Sequence, residues 1–286
     1  MLLSCIKAMR PKQWAKNVFL FAAIVFSLKF DDPTSIRKII IAFFAFSFVS
    51  SSGYILNDAR DIEVDKLHPK KKFRPLASGA VPLTVAYIEM VVIFLFGMGL
   101  AYYVDVKLLA ITFTYFLTTM SYSLFFKNIV ILDVMFIASG FLWRVIAGAI
   151  AIDVKISPWL ITCTAFLALF LGFNKRRGEL MALGDSGTRK NLKEYSLEML
   201  QEYQAITTSG AIISYALYTV LGPHNNPWLL VTLPYVLYGI FRYIYLINKK
   251  GEGDAPDETL LKDWPILLNG FLYVVTTIFV LLITEK

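Results

Sequence analysis

At 286 residues, with 57% hydrophobic, 15% aromatic and 17% charged residues and a mean hydropathy of +0.61, the chain reads as a polytopic membrane protein rather than a soluble one. Its formal net charge of +7 comes from Lys and Arg flanking apolar segments, so it records topology and attraction to anionic lipid, and no nucleic-acid partner is expected. The two cysteines, Cys5 and Cys163, and the two histidines, His68 and His224, make neither a disulfide framework nor a zinc motif.

Nine apolar segments long enough, or nearly so, to span a bilayer lie near 17–29, 37–56, 82–104, 108–126, 130–150, 157–173, 205–222, 227–247 and 265–284. They predict an all-α polytopic membrane protein of about nine transmembrane helices, the first and sixth being the shortest. Lys7, Arg10, Lys12 and Lys16 precede an apolar segment without a small-residue cleavage site, so no cleavable signal peptide is expected. With the N-terminus in the cytoplasm, 20 of the 28 Lys and Arg residues fall on that side and six on the other. This bias orients the chain and leaves its C-terminus on the opposite side. The long polar segments 57–80, 174–204 and 248–264 then all face the cytoplasm, where the chemistry is expected.

The first of these opens Asn57-Asp58-Ala59-Arg60-Asp61-Ile62-Glu63-Val64-Asp65. On one continuous helix Asp58, Asp61 and Asp65 fall within roughly a 60° arc. Like charges so placed repel by about a few tenths of a kcal/mol per pair. A solvated acidic helix end, balanced by Arg60 and Lys66, is the plain account. Hard oxygen donors leaving a membrane helix suit Mg2+ better, since that ion bridges one or two carboxylates to substrate phosphates. Lys70-Lys71-Lys72-Phe73-Arg74-Pro75 follows; it reads as a topology signal, or as a place where Arg74 binds a phosphate as a planar, bidentate donor.

Tyr122-Ser123-Leu124-Phe125-Phe126-Lys127 closes the fourth segment, where Lys127 also suits a snorkelling anchor. Asp133 opens the fifth. Arg144 follows eleven residues later, nearly on the same helical face and roughly 16 Å deeper. A mid-span arginine is costly unless paired or functional, so either a buried structural pair or a phosphate ligand is expected. After the sixth segment comes Asn174-Lys175-Arg176-Arg177-Gly178-Glu179. It serves as a stop-transfer cluster, or as a cationic grip on an anionic substrate that stabilises a departing pyrophosphate.

N-D-x-x-D-x-x-x-D at the end of the second span resembles the UbiA-type intramembrane prenyltransferase superfamily, and the resemblance covers essentially the whole chain. It implies one transmembrane domain over 1–286, bundled around a central cavity open to the cytoplasmic face and capped by the three long loops. Typical members carry a second acidic motif, D-x-x-x-D, after the sixth span, which binds prenyl diphosphate through a second magnesium. This chain has the basic run Asn174–Glu179 there. The departure is similar to the decaprenyl-phosphate phosphoribosyltransferase branch. So are Met9-Arg10-Pro11-Lys12-Gln13-Trp14-Ala15-Lys16-Asn17, the stretch from Lys72 to Gly79, the stretch from Tyr122 to Lys127, and the stretch from Asp257 to Asp263.

The resemblance implies transfer of a 5-phosphoribosyl group from phosphoribosyl diphosphate to a polyprenyl (decaprenyl-like) phosphate at a bacterial-type plasma membrane, with Mg2+ as cofactor. Asp58, Asp61 and Asp65 are then the metal ligands. Tyr122 and Lys127 join them as catalytic candidates. Lys16, Asn57, Lys72 and Arg74 are expected to bind substrate from the first half of the chain. Asp133, Arg144, Lys175, Arg176, Arg177 and Glu179 are expected to do so from the second. The product would feed an arabinose-type cell-wall donor or another glycolipid. The rival expectations are prenyl transfer to an aromatic or other acceptor, which a normal acidic second motif would favour, and a transporter. A homo-oligomer is compatible with these spans, since helix contacts in lipid leave little trace in sequence.

Overall fold

The computed structural model describes residues 1–67, 71–183, 190–223, 225–250, 259 and 262–284. The regular structure among them is helical throughout. The helices are α1 (Leu2–Ala8), α2 (Ala22–Phe26), α3 (Pro33–Arg60), α4 (Ile62–Leu67), α5 (Leu83–Val104), α6 (Val106–Leu124), α7 (Leu132–Ala151), α8 (Pro158–Leu183), α9 (Leu197–Leu221), α10 (Leu233–Lys250) and α11 (Trp264–Thr284). Local chemistry sets several of their starts. Asp32 caps α3 by accepting from the Thr34 and Ser35 amides at 3.0 Å each, with Pro33 in the first turn. Ser196 caps α9 by accepting from the Met199 amide at 3.1 Å.

Six helices among the described residues are long and apolar enough to cross a membrane: α3, α5, α7, Pro158–Met181 of α8, the Pro227–Lys249 run that contains α10, and α11. The fourth and seventh expected segments form the 19-residue α6 and the 25-residue α9, both polar enough to stand outside that group. The first segment departs from a single helix. It folds as a 3-10 stretch, Pro11–Phe21, followed by the five-residue α2. The side chains of the stretch bond to a neighbouring helix: Trp14 Nε1 donates to Ser51 Oγ at 3.0 Å and Asn17 Nδ2 to Ser47 Oγ at 2.9 Å. These bonds hold a tighter helical form that is otherwise uncommon at this length.

The chain forms two compact units. One comprises Met1–Ile24, Lys29–Leu124 and Trp143–Val154. In it the 3-10 stretch runs so close to α7 that a Cβ on Gly148 would stand 2.1 Å from the Leu20 carbonyl oxygen. An apolar cluster built on Ala8, Ile55, Leu76, Val81 and Ala86 seats α1, the end of α3, the 76–81 turn and the start of α5. The other unit comprises Val25–Leu28, Phe125–Leu142 and Lys155–Lys286. There α8 and α9 pack tightly enough that a Cβ on Gly210 would meet the Phe166 ring at 2.5 Å. Val134, Phe173, Tyr195 and Leu200 form one of its cores, and Phe170, Ile240, Tyr243 and Ile247 another.

Candidate active site

The three aspartates do not share one uninterrupted helix, as the spacing alone predicts. α3 ends at Arg60, Asp61 takes a non-helical φ of −96° and ψ of 10°, and α4 begins at Ile62. Backbone bonding still carries through the bend, from the Asp61 amide to the Asn57 carbonyl at 3.0 Å and from the Asp65 amide to the Asp61 carbonyl at 2.7 Å. Asp58 and Asp65 are each 2% exposed and converge on one guanidinium. Arg74 Nη1 reaches Asp58 Oδ1 at 3.1 Å and Asp65 Oδ2 at 2.6 Å. Arg10 also donates to Asp58 Oδ1 and stacks over Tyr54. Asp61 stands apart, accepting from Asn57 Nδ2 at 3.1 Å. Repulsion between the two buried carboxylates is thus offset by two arginines rather than relieved by exposure.

Arg74 returns to the helix end because the loop after it closes on itself. The Arg74 amide bonds the Lys71 carbonyl at 2.9 Å, the Ser78 amide bonds the Arg74 carbonyl at 2.9 Å, and the Val81 amide bonds the Pro75 carbonyl at 3.1 Å. Gly79 adopts φ 74°, a left-handed position that glycine accepts without steric cost. Lys72 is exposed and lies over the Phe73 ring. Residues 68–70, His68 among them, lie outside the described residues, as do 257, 258, 260 and 261 of the Asp257–Asp263 stretch. Lys16, Tyr122 and Lys127 are half-buried.

Asp133 and Arg144, expected on nearly one face, take separate partners. Arg144 is 4% exposed; its Nε donates to Asn17 Oδ1 at 2.7 Å and its Nη2 to Tyr115 Oη at 3.0 Å. Asp133 accepts from Arg176 Nε at 2.6 Å and from Tyr195 Oη at 2.8 Å. Arg176 also gives Nη1 to Glu179 Oε2 at 2.6 Å. The Asp133 and Arg176 side chains both have 0% exposure and form a buried ion pair. Lys175 and Arg177 flank it and are half-buried. Tyr195 Oη additionally accepts from the Ile131 amide at 2.7 Å, and burial, then the Asp133 charge, pushes its phenol well above the usual range.

Residues outside the expected site set thus complete all three clusters. Arg10 and Asn17 lie inside the resembling stretch 9–17, where sequence reasoning chose Lys16 instead. For Tyr115 and Tyr195 no pattern marked the position.

The donor set fits a hard divalent cation by chemistry, with Asp58, Asp61, Asp65 and the Asn57 amide within nine residues. Among the described residues no three Asp, Glu, His or Cys side chains converge closely enough to enclose an ion. A bound ion would therefore draw part of its shell from substrate phosphates and water, as magnesium commonly does.

Comparison with known proteins agrees with the fold. The model of the UbiA prenyltransferase family matches residues 18–262. A decaprenyl-phosphate phosphoribosyltransferase of Corynebacterium glutamicum is 34% identical over 269 residues, covering 90% of this chain and 80% of that protein. The protein of the same name from Mycobacterium tuberculosis is 29% identical over 278 residues, covering 95% and 92%. The structure of a UbiA homolog from Archaeoglobus fulgidus bound to GPP and Mg2+ superposes with a TM-score of 0.76 at 16% identity, covering 97% of this chain and 99% of that one. The chain is a member of the UbiA prenyltransferase family.

Proposed function

We propose that this chain transfers a 5-phosphoribosyl group from phosphoribosyl diphosphate to a polyprenyl phosphate and releases pyrophosphate. The observation that carries the reading is the basic run Lys175-Arg176-Arg177 at the end of α8, where family members carry acidic residues for a prenyl diphosphate's second metal. The names of the relatives that match most of the chain support it. Phosphoribosyl diphosphate and a lipid phosphate together bring three anionic groups, which cationic side chains suit.

Asp58, Asp61 and Asp65 would hold Mg2+, and the ion would supply Lewis-acid stabilisation of the charge that collects on the departing pyrophosphate. Arg74 and Arg10, already bonded to the carboxylates, keep that acidic cluster compact and add donors beside the diphosphate. The bond from ribose C1 to the diphosphate oxygen breaks, the ring passes through an oxocarbenium-like state, and a lipid phosphate oxygen bonds C1. The attacking phosphate is already ionised at neutral pH and needs no strong base. Lys127, Lys175 and Arg177 hold phosphates, and Arg176 positions its two neighbours through Asp133 and Glu179. Catalysis is then mainly positioning and electrostatics. α6, α9 and the 17–29 segment would bring the crossings to nine, with the N-terminus and the chemistry cytoplasmic. Asp58→Asn and Asp61→Asn are expected to abolish phosphoribosyl transfer to labelled lipid; near wild-type rates in both would remove the metal role. Labelled prenyl diphosphate, supplied alone with an aromatic acceptor, tests the rival reaction.

A further inference from the structure

Arg177 differs from the ion-paired arginines of the described residues. Arg10, Arg74, Arg176 and Arg242 each meet a carboxylate. Arg177 meets two neutral carboxamide oxygens, giving Nη2 to Asn248 Oδ1 at 2.8 Å and Nη1 to Gln204 Oε1 at 3.5 Å. Its Nε is buried with no hydrogen-bond partner among the described residues. Both partners are themselves anchored. Gln204 is 8% exposed on α9, and Asn248 ties its Nδ2 to the Ile244 carbonyl at 2.8 Å. A guanidinium aimed by dipoles, with a donor to spare and no counter-charge among the described residues, is built to receive an anion.

Its position names the kind of anion. Arg177 lies in the last turn or so of the Pro158–Met181 span, and Asn248 in the last turn of the Pro227–Lys249 span. Span ends sit at the depth of lipid phosphates. Along α10, Tyr238, Phe241 and Tyr245 are 45%, 58% and 48% exposed and precede Asn248 at steps of three, four and three residues. At about 100° per residue these four fall on one side of the helix, and the stripe runs roughly 15 Å toward the apolar part of the span. An anionic pocket at the head of an exposed aromatic track matches a phosphate monoester carrying a long isoprenoid tail.

We infer that Arg177, oriented by Gln204 and Asn248, binds the phosphate of the polyprenyl phosphate acceptor, with the tail lying along Tyr238, Phe241 and Tyr245. This inference rests on the proposed reaction for its meaning and on the geometry of one compact unit for its placement. It also divides the basic run: Arg176 is structural, Arg177 takes the acceptor, and the donor is held elsewhere.

The test uses the full chain in nanodiscs, with binding of labelled polyprenyl phosphate measured without any donor, and transfer kinetics measured beside it. Arg177→Gln is expected to weaken acceptor binding by about tenfold to a hundredfold, the worth of a charge-assisted hydrogen bond, and Asn248→Ala by about fivefold. The acceptor KM rises in parallel while the KM for phosphoribosyl diphosphate stays within about twofold. Phe241→Ser weakens binding of the long-chain acceptor more than that of geranyl phosphate. Arg177→Lys, which keeps the charge, guards against loss of fold and retains a part of the affinity. Unchanged acceptor binding in Arg177→Gln, or a rise in donor KM instead, overturns the inference. Equal displacement by phosphatidic acid vesicles would make this a general anionic-lipid site and also overturn the acceptor assignment. A wild-type chain that binds polyprenyl phosphate through Arg177 but transfers no phosphoribosyl group defeats the reaction and leaves the subsite standing.

Discussion

Arg176 and Asp133 form an ion pair 2.6 Å long in which neither side chain exposes any surface, although they lie 43 residues apart on α8 and α7. Two charges taken fully out of water hold together only because Glu179 and Tyr195 satisfy further atoms of the pair.

Removing one partner should therefore be costly. Arg176→Met strands the buried Asp133, removes one partner of the half-buried Glu179, and is expected to cost about 3–5 kcal/mol. Asp133→Asn leaves Glu179 beside the arginine and should cost less. Unfolding midpoints in detergent give the order, and the reverse order would show that Glu179 contributes nothing.

Tyr195 holds the turn before α7, where Ile131 takes φ 68°, an outlier for a β-branched residue. Tyr195→Phe removes a donor to Asp133 and the acceptor of the Ile131 amide, for an expected loss of about 1–3 kcal/mol. The raised phenol pKa also sets a sign. The folded state favours the neutral phenol, so this contribution is whole below about pH 10 and fades as pH rises further. Denaturation between pH 8 and 11 should show a smaller fade in the Phe variant than in wild type.

Chelation is expected to separate activity from stability. Arg10 and Arg74 already compensate Asp58 and Asp65, so the fold does not depend on a metal for charge balance. EDTA should lower transfer by roughly two orders of magnitude, restored by Mg2+, while the unfolding midpoint stays put. A large drop in the midpoint would mean that the arginines are not the carboxylates' principal partners.

Two helical glycines predict opposite outcomes. At Gly99 an added Cβ meets nothing within 4 Å, so Gly99→Ala should be neutral or gain up to about 1 kcal/mol of helix propensity. At Gly148 the same Cβ would stand 2.1 Å from the Leu20 carbonyl oxygen, so Gly148→Ala must push the 3-10 stretch away and lose about 1–3 kcal/mol. Paired thermal melts decide it.

Local order in the sequence determined the membrane character, the all-helical class and most helix limits: the expected segments 82–104 and 265–284 became Leu83–Val104 and Trp264–Thr284. Apolar runs carry that information because a span's length and polarity are written consecutively. The acidic motif and the basic run were legible for the same reason. Only tertiary structure decided what each charge does. Neighbouring helical residues point about 100° apart, so whether Arg176 or Arg177 is buried depends on what α7 and α9 bring opposite them. Arg10 reaches Asp58 across 48 positions, and Arg144 reaches Asn17 across 127. The break of α3 at Asp61 divides three aspartates that a continuous helix would have aligned, and no periodicity announces it. Pairings at such separations arise from packing, and the energy that selects them belongs to groups that the chain brings together only once it has folded.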